Sequence, residues 1–228
     1  MTHPRLIEYP SREALTDGLA AYLAARLADL VATTGRAAIA LSGGSTPGPM
    51  LTRLGEADLH WEDVVVTLTD ERQVPPSSPR SNQHLLAETL FRGAAAAAVF
   101  VPLYAPAPEP ADGLEAIAAS LNNLALPLDI AVLGMGTDMH TASLFPGAVG
   151  LDAALAADAP PAVLITAPGA EEPRITLSAP VLQGAGERHL MIAGADKRAA
   201  LERALSLGDV RQAPVLAVLE DCTVHYAD

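Results

Sequence analysis

Three short apolar runs, Ala37 to Leu41, Val64 to Leu68 and Ile130 to Leu133, constrain this chain more than any other feature. None follows the strict polar–apolar alternation of a strand with one wet face. Runs of this kind suit strands buried on both faces, as in a parallel sheet. Further strands are expected at Val99–Val101, Ala162–Thr166, Arg174–Leu177, Arg188–Ile192, Val215–Leu219 and Thr223–Tyr226. Helical stretches lie between them. Ser11 is placed to cap a helix running to about Thr34, with Gly35 as its stop. Leu15, Leu19, Tyr22, Leu23, Leu27, Leu30 and Val31 fall on one face of it. Ser81 caps a second helix through Phe91, and Ala111–Leu126 and Lys197–Leu207 read as others. Strand and helix in alternation imply an α/β fold, a mostly parallel sheet flanked by helices on both faces. The proline- and alanine-rich segments 105–110 and 158–173 read as long loops, because the alternation resumes after each. The 228 residues are within reach of one core, so residues 1–228 are expected to form a single domain.

Composition removes several classes of function. Asp plus Glu number 27 against 14 Lys plus Arg, a formal charge of −13, which suits neither nucleic acid nor an anionic membrane surface as partner. An anionic substrate would have to be met by a local gathering of the scarce cations. The uncharged stretch Gly93–Pro108 is broken by prolines and falls short of the roughly 20 residues that span a bilayer. Met1-Thr2-His3-Pro4-Arg5 opens without the apolar core of a signal peptide. The single cysteine, Cys222, excludes an internal disulfide and is compatible with a reducing cytoplasm. No Cys/His cluster has the spacing of a zinc site, so neither metal nor cofactor is expected.

Functional groups collect where strands end. In open α/β sheets, ligands sit in the crevice outside the carboxyl ends of the strands. After Leu41 comes Ser42-Gly43-Gly44-Ser45-Thr46-Pro47, whose glycines free backbone N–H groups to face a concavity. Ser45 or Thr46 is expected to cap the next helix, with Pro47 in its first turn, making an anion site at a helix N-terminus. No Gly-Lys-Ser/Thr follows, so this is not a Walker A loop. After Leu68 comes a loop, Thr69-Asp70-Glu71-Arg72-Gln73-Val74-Pro75; standing alone, Asp70 and Arg72 would be a surface ion pair. After Leu133 comes Gly134-Met135-Gly136-Thr137-Asp138-Met139-His140. Of the six histidines only His140 lies in a glycine-rich strand-end loop beside an acid; His189 reads as a packed or hydrogen-bonded strand residue.

The segment Gly134-Met135-Gly136-Thr137-Asp138-Met139-His140-Thr141-Ala142-Ser143-Leu144-Phe145-Pro146-Gly147 closely resembles the signature of the 6-phosphogluconolactonases, G-x-G-x-D-G-H-x-A-S-L-F-P-G. Three more segments follow that family in the same order: Ser42–Pro47; Asp70-Glu71-Arg72 with Val74-Pro75 and Ser81-Asn82; and Arg174-Ile175-Thr176. Gly194-Ala195-Asp196-Lys197 matches its G-x-x-K setting. The resemblance implies a modified Rossmann-like fold, shared with glucosamine-6-phosphate deaminases and ribose-5-phosphate isomerases. It also implies hydrolysis of 6-phospho-D-glucono-1,5-lactone in the pentose phosphate pathway, and gives Lys197 a contact to phosphate. Two positions depart from the pattern: Thr137 replaces a common Glu, and Met139 replaces Gly. With Met139, either the turn is built differently or a side chain intrudes on the site.

The implied chemistry suits the residues. A neutral imidazole at His140 takes a proton from water attacking the lactone carbonyl and later protonates the ring oxygen. Asp138 or Asp70 would orient it, and backbone N–H groups of the glycine turns would support the oxyanion. No G-x-S-x-G elbow is present, so water attacks directly. Arg72, Arg174 and Lys197, with Ser42, Gly43, Gly44 and Ser45, are the candidates to hold the phosphate. Two other readings compete. An amino-sugar phosphate isomerase-deaminase has a catalytic Glu before its Pro-Gly, where this chain has Phe145. A non-catalytic sugar-phosphate sensor would not need both Asp138 and His140. The expected partner is a phosphorylated sugar lactone, with the protein a monomer or small homo-oligomer.

Overall fold

The computed structural model describes residues 4–124 and 126–228. Met1 to His3, part of the opening without a signal core, and Ala125, inside the helix expected over 111–126, lie outside the described residues. The elements in chain order are β1 (Arg5–Glu8), α1 (Arg12–Thr34), β2 (Ala37–Leu41), α2 (Gly48–Gly55), β3 (Val64–Leu68), β4 (Asp70–Arg72), α3 (Asn82–Thr89), β5 (Val99–Val101), α4 (Leu114–Leu121), β6 (Ile130–Leu133), α5 (Leu151–Leu155), β7 (Ala162–Ile165), β8 (Arg174–Leu177), α6 (Ala179–Gln183), β9 (Glu187–Ala193), α7 (Ala195–Leu207) and β10 (Thr223–Ala227).

Seven strands form one sheet in the order β1-β10-β9-β6-β2-β3-β5, parallel at every pairing. β2 and β6 are buried along their whole length, which is why neither alternates. α1 begins with the Ser11 hydroxyl accepting from Ala14 N and ends with Gly35 in the left-handed region at φ 80. It buries Leu15, Leu19, Leu23 and Leu27. No helix among the described residues is long and apolar enough to cross a membrane.

The strand order locates the crevice. From β2 the chain steps to β3 and β5 on one side, then returns to β6, β9 and β10 on the other. β2 and β6 therefore flank the switch point where crossover connections diverge and leave a cleft at the strands' carboxyl ends. Because all seven strands run the same way, the segments after β2, β3, β6 and β9 emerge on one edge.

Several expectations need correction. Asp70–Arg72 is no loop but a strand, in a second, antiparallel sheet of order β4-β8-β7. Val215–Leu219 does not join the sheet; Pro214–Val218 is a buried 3₁₀ turn. Pro214 has no N–H to give a ladder, and a short apolar run does not distinguish a strand from a buried turn. Helix 111–126 shrinks to α4 between two 3₁₀ turns. Neither Ser45 nor Thr46 caps α2. Pro47 stands at its N-cap, already helical at φ −77, ψ −16, with no side-chain cap. β1, a charged-ended edge strand, carries no pattern in the sequence.

A polar seam crosses the core between α1, β9 and β10. Tyr9 Oη lies 2.9 Å from His225 Nδ1, His225 Nε2 lies 3.0 Å from His189 Nδ1, and His189 Nε2 lies 3.4 Å from Glu187 Oε2. Glu187 also accepts from Tyr22 Oη and Arg26 Nε. One proton order satisfies every member with both rings neutral: Tyr9 donates to His225, His225 to His189, and His189 to the carboxylate. Burial pushes both histidines down, and His225 falls to about 4 with the charges of His189 and Arg5 added.

A base with a depressed folded-state pKa takes up protons first in the unfolded chain. Its contribution is fully present above about pH 6.5 and is lost as pH falls toward about 4, on the order of 3 kcal/mol for His225. The thermal midpoint should therefore drop across that window, and His225→Gln should flatten the drop. A midpoint indifferent to pH between 6.5 and 4 would remove the neutral seam as an explanation.

Candidate active site

A cleft of about 240 Å³ opens at the switch point. Nine of the ten residues singled out from the sequence line it: Ser42, Gly43, Gly44, Ser45, Asp70, Arg72, His140, Arg174 and Lys197. The tenth, Asp138, backs His140 from outside the lining, its Oδ1 2.5 Å from His140 Nδ1.

The loop after β6 is tied at three points. Thr141 Oγ1 donates to Gly134 O (2.8 Å), Gly136 N to His140 O (2.9 Å), and Met139 N to Gly136 O (3.0 Å). Met139 takes φ 67, so the turn that favours glycine is kept. The Met139 side chain is buried in the core rather than in the cleft. Gly136 is the glycine of this loop that has no room for a side chain. A Cβ on it would stand 2.2 Å from both Asp138 Oδ1 and His140 Nδ1, so the acid and the imidazole meet over the space its missing side chain leaves.

Burial raises the Asp138 carboxyl, but the hydrogen bond to His140 and that ring's charge outweigh it and hold the group below its ordinary value. Asp138 is thus an acceptor at neutral pH. It fixes the proton of His140 on Nδ1 and leaves the Nε2 lone pair unclaimed by it. Of the two acids the sequence offered, Asp138 is the one in contact with His140. The Asp70 oxygens accept from Ser143 Oγ at 2.5 Å and Thr69 Oγ1 at 3.2 Å. Asp70 Oδ2 also lies 3.9 Å from Arg174 Nη1.

β4 explains the cationic wall. Its register pairs Arg72 directly with Arg174 of β8. Like charges opposed across two strands repel, and each guanidinium has a buried Nε without a partner. Arg174 is pushed down by burial first, then by Arg72 and Arg80, against the pull of Asp70 and Glu172. Its guanidinium lies 5.1 Å over the Phe145 ring, and that ring stacks on His140 with centroids 4.0 Å apart. Opposed cations with unused buried donors are the arrangement an anion completes. From the other side, Lys197 enters from the first turn of α7, its Nζ 2.7 Å from Met135 O.

Two residues escaped the sequence reading. Strand alternation sends Glu71 to the face opposite Asp70 and Arg72. There its carboxylate accepts from Asn82 N, Gln83 N, Ser81 Oγ and Arg72 N, binding β4 to the N-terminus of α3. Desolvation raises its pKa, against those four hydrogen bonds. Asn82 lines the cleft and donates from Nδ2 to Asp70 O at 2.8 Å. It packs so close to Gly43 that a Cβ there would lie 1.9 Å from its Oδ1. The charged triplet Asp70-Glu71-Arg72, read as a strand, would have pointed to both. Among the described residues, no three His, Cys, Asp or Glu side chains stand together to hold a metal.

Fold and site together define a class: an α/β protein with a cleft at its switch point lined by Arg72, Arg174 and Lys197, and an acid-backed imidazole facing into it. Residues 10–226 match the family described as glucosamine-6-phosphate isomerases/6-phosphogluconolactonase. A 6-phosphogluconolactonase of Rhizobium meliloti is 46% identical over 216 residues, 94% of this chain and 92% of that protein. One of Pseudomonas aeruginosa is 42% identical over 211 residues, 92% of this chain and 89% of that one. The crystal structure of a 6-phosphogluconolactonase from Shewanella baltica superposes with a TM-score of 0.96 at 32% identity, covering 100% of this chain and 99% of that one. The chain belongs to the glucosamine-6-phosphate isomerase/6-phosphogluconolactonase family.

Proposed function

We propose that this chain hydrolyses 6-phospho-D-glucono-1,5-lactone to 6-phosphogluconate, a step of the pentose phosphate pathway carried out in the cytoplasm. Among the structural observations, the one that carries the reading is the Asp138–His140 pair aimed at a cleft whose other wall holds two opposed, under-bonded guanidiniums. His140 Nε2 accepts a proton from water as its oxygen attacks the lactone carbonyl. Asp138 stabilises the imidazolium that results. The bond from the carbonyl carbon to the ring oxygen then breaks, and the imidazolium returns its proton to that oxygen. Water, lactone and the hydroxy acid balance, with one proton released as the new carboxyl ionises, so the reaction takes no cofactor.

Arg72, Arg174 and Lys197 hold the phosphate, with the backbone and hydroxyls of Ser42–Ser45. The isomerase branch of the family needs a proton carrier where Phe145 stands, and a phenyl ring stacked on His140 carries none.

The direct test is turnover. Purified protein should accelerate hydrolysis of the phosphorylated lactone above its spontaneous rate and release no ammonia from glucosamine 6-phosphate. A rate equal to the background would leave the chain a sugar-phosphate binder. Arg72→Ala, Arg174→Ala and Lys197→Ala should each raise KM for the phosphorylated lactone by about tenfold or more, the worth of a lost bond to a charged group. Turnover of unphosphorylated gluconolactone should change far less. Equal losses on both substrates would assign these residues to the fold instead of the phosphate.

A further inference from the structure

The loop that carries Asp138 and His140 turns on a residue unsuited to the turn. Met139, between them, sits at φ 67, a region about tenfold less accessible than right-handed backbone to a residue with a Cβ. Two backbone bonds hold it: its N–H to Gly136 O, and its carbonyl accepting from Val215 N at 3.0 Å. A third contact comes from α7. Arg203 Nη2 donates to Thr137 O at 2.6 Å, and Arg203 Nε lies 3.5 Å from Met139 Sδ. One guanidinium therefore touches both Thr137 and Met139, while Asp138, between its two contacts, stays free for His140.

Arg203 has no carboxylate within ion-pair distance among the described residues, unlike Arg198 five residues earlier, which pairs with Glu8 and Glu202. It does not line the cleft. Both of its side-chain hydrogen bonds among the described residues go to this turn.

We propose that Arg203 is a positioning residue of the reaction: it clamps the left-handed Met139 turn from α7 and so keeps Asp138 within hydrogen-bond reach of His140. The consequence for turnover rests on the reading of His140 as the base; the clamp itself does not. Glycine enters the left-handed region without the Cβ penalty, so the clamp should matter less when residue 139 is glycine.

The experiment compares Arg203→Ala in the wild-type and Met139→Gly backgrounds, by steady-state kinetics and by the downfield Nδ1 proton of His140 in NMR, assigned by its loss in His140→Gln. Arg203→Ala should lower kcat about tenfold, the penalty the clamp offsets, with KM unchanged and the imidazole proton weakened. In the Met139→Gly background the same substitution should cost less than about threefold, the non-additivity expected of coupled neighbours, and the proton signal should persist. Should Arg203→Ala fold poorly, Arg203→Lys reads the same comparison, since an ammonium does not span Thr137 O and Met139 Sδ together. An unchanged proton signal in Arg203→Ala, or equal losses in both backgrounds, would overturn the clamp. If the signal behaves as described and kcat does not follow it, the clamp stands and His140 is not the base.

Discussion

His140→Gln should lose at least the roughly 100-fold in kcat that general-base removal costs, with the folded state intact. Glutamine keeps an N–H to offer Asp138 and leaves the backbone ties of the loop in place, but it neither takes nor returns a proton near neutral pH. The structural cost is small. The His140 side chain is 28% exposed, and the packing it loses is chiefly the stack on Phe145, about 1 kcal/mol. In a chain of this size that lowers the thermal midpoint by about 2–4 °C. Asp138→Asn should lose less, because the amide oxygen still accepts from Nδ1 while the charge that stabilises the imidazolium is gone. Rate and midpoint measured together separate the roles. A His140→Gln protein that melts early but turns over normally per folded molecule would make His140 structural and send the search for a base to Asp70 or Asp138.

The same loop shows what a sequence can and cannot disclose. Ile130–Leu133 was legible because a strand buried on both faces has to be apolar throughout, and the glycine–acid–histidine segment after it was legible because nothing apolar continues it. β4 was not legible. Asp70-Glu71-Arg72 has the polarity of a surface loop, and it becomes a strand only because β8, a hundred residues later, supplies its ladder. Missing that strand hid its alternation, and with it Glu71 and Asn82, which fix the cationic wall to α3. It also hid that Arg72 and Arg174 are direct cross-strand neighbours. Ser45 and Thr46 offered good helix-capping chemistry, and Pro47 overrode it by taking helical angles itself. Met139 was a departure whose outcome no local rule decides. The turn survived because Val215 and Arg203, distant in sequence, hold it.

Gly136→Ala should cost about as much turnover as removing the base, on the order of 100-fold in kcat, although alanine is the smallest change available. The new Cβ would lie 2.2 Å from Asp138 Oδ1, 2.2 Å from His140 Nδ1 and 2.3 Å from His140 Cε1, far inside contact distance. Backbone strain is not the cause, because Gly136 is not among the glycines at positive φ. The Gly136 N–H to His140 O bond also resists withdrawal of the main chain. The two side chains must therefore give way, and they are the pair whose 2.5 Å contact fixes the imidazole. Substrate affinity should hold, since Arg72, Arg174 and Lys197 sit on β4, β8 and α7. Gly134→Ala is the internal control. It lies two residues away in the same motif, yet its Cβ would meet only Ser42 Oγ at 3.9 Å, an ordinary contact, so it should keep most of the activity. The measurement is kcat and KM for both variants, with the Nδ1 proton of His140 as the structural readout. Equal losses in the two variants would mean that the motif needs glycine for its backbone and that the space beneath the Asp138–His140 pair is incidental.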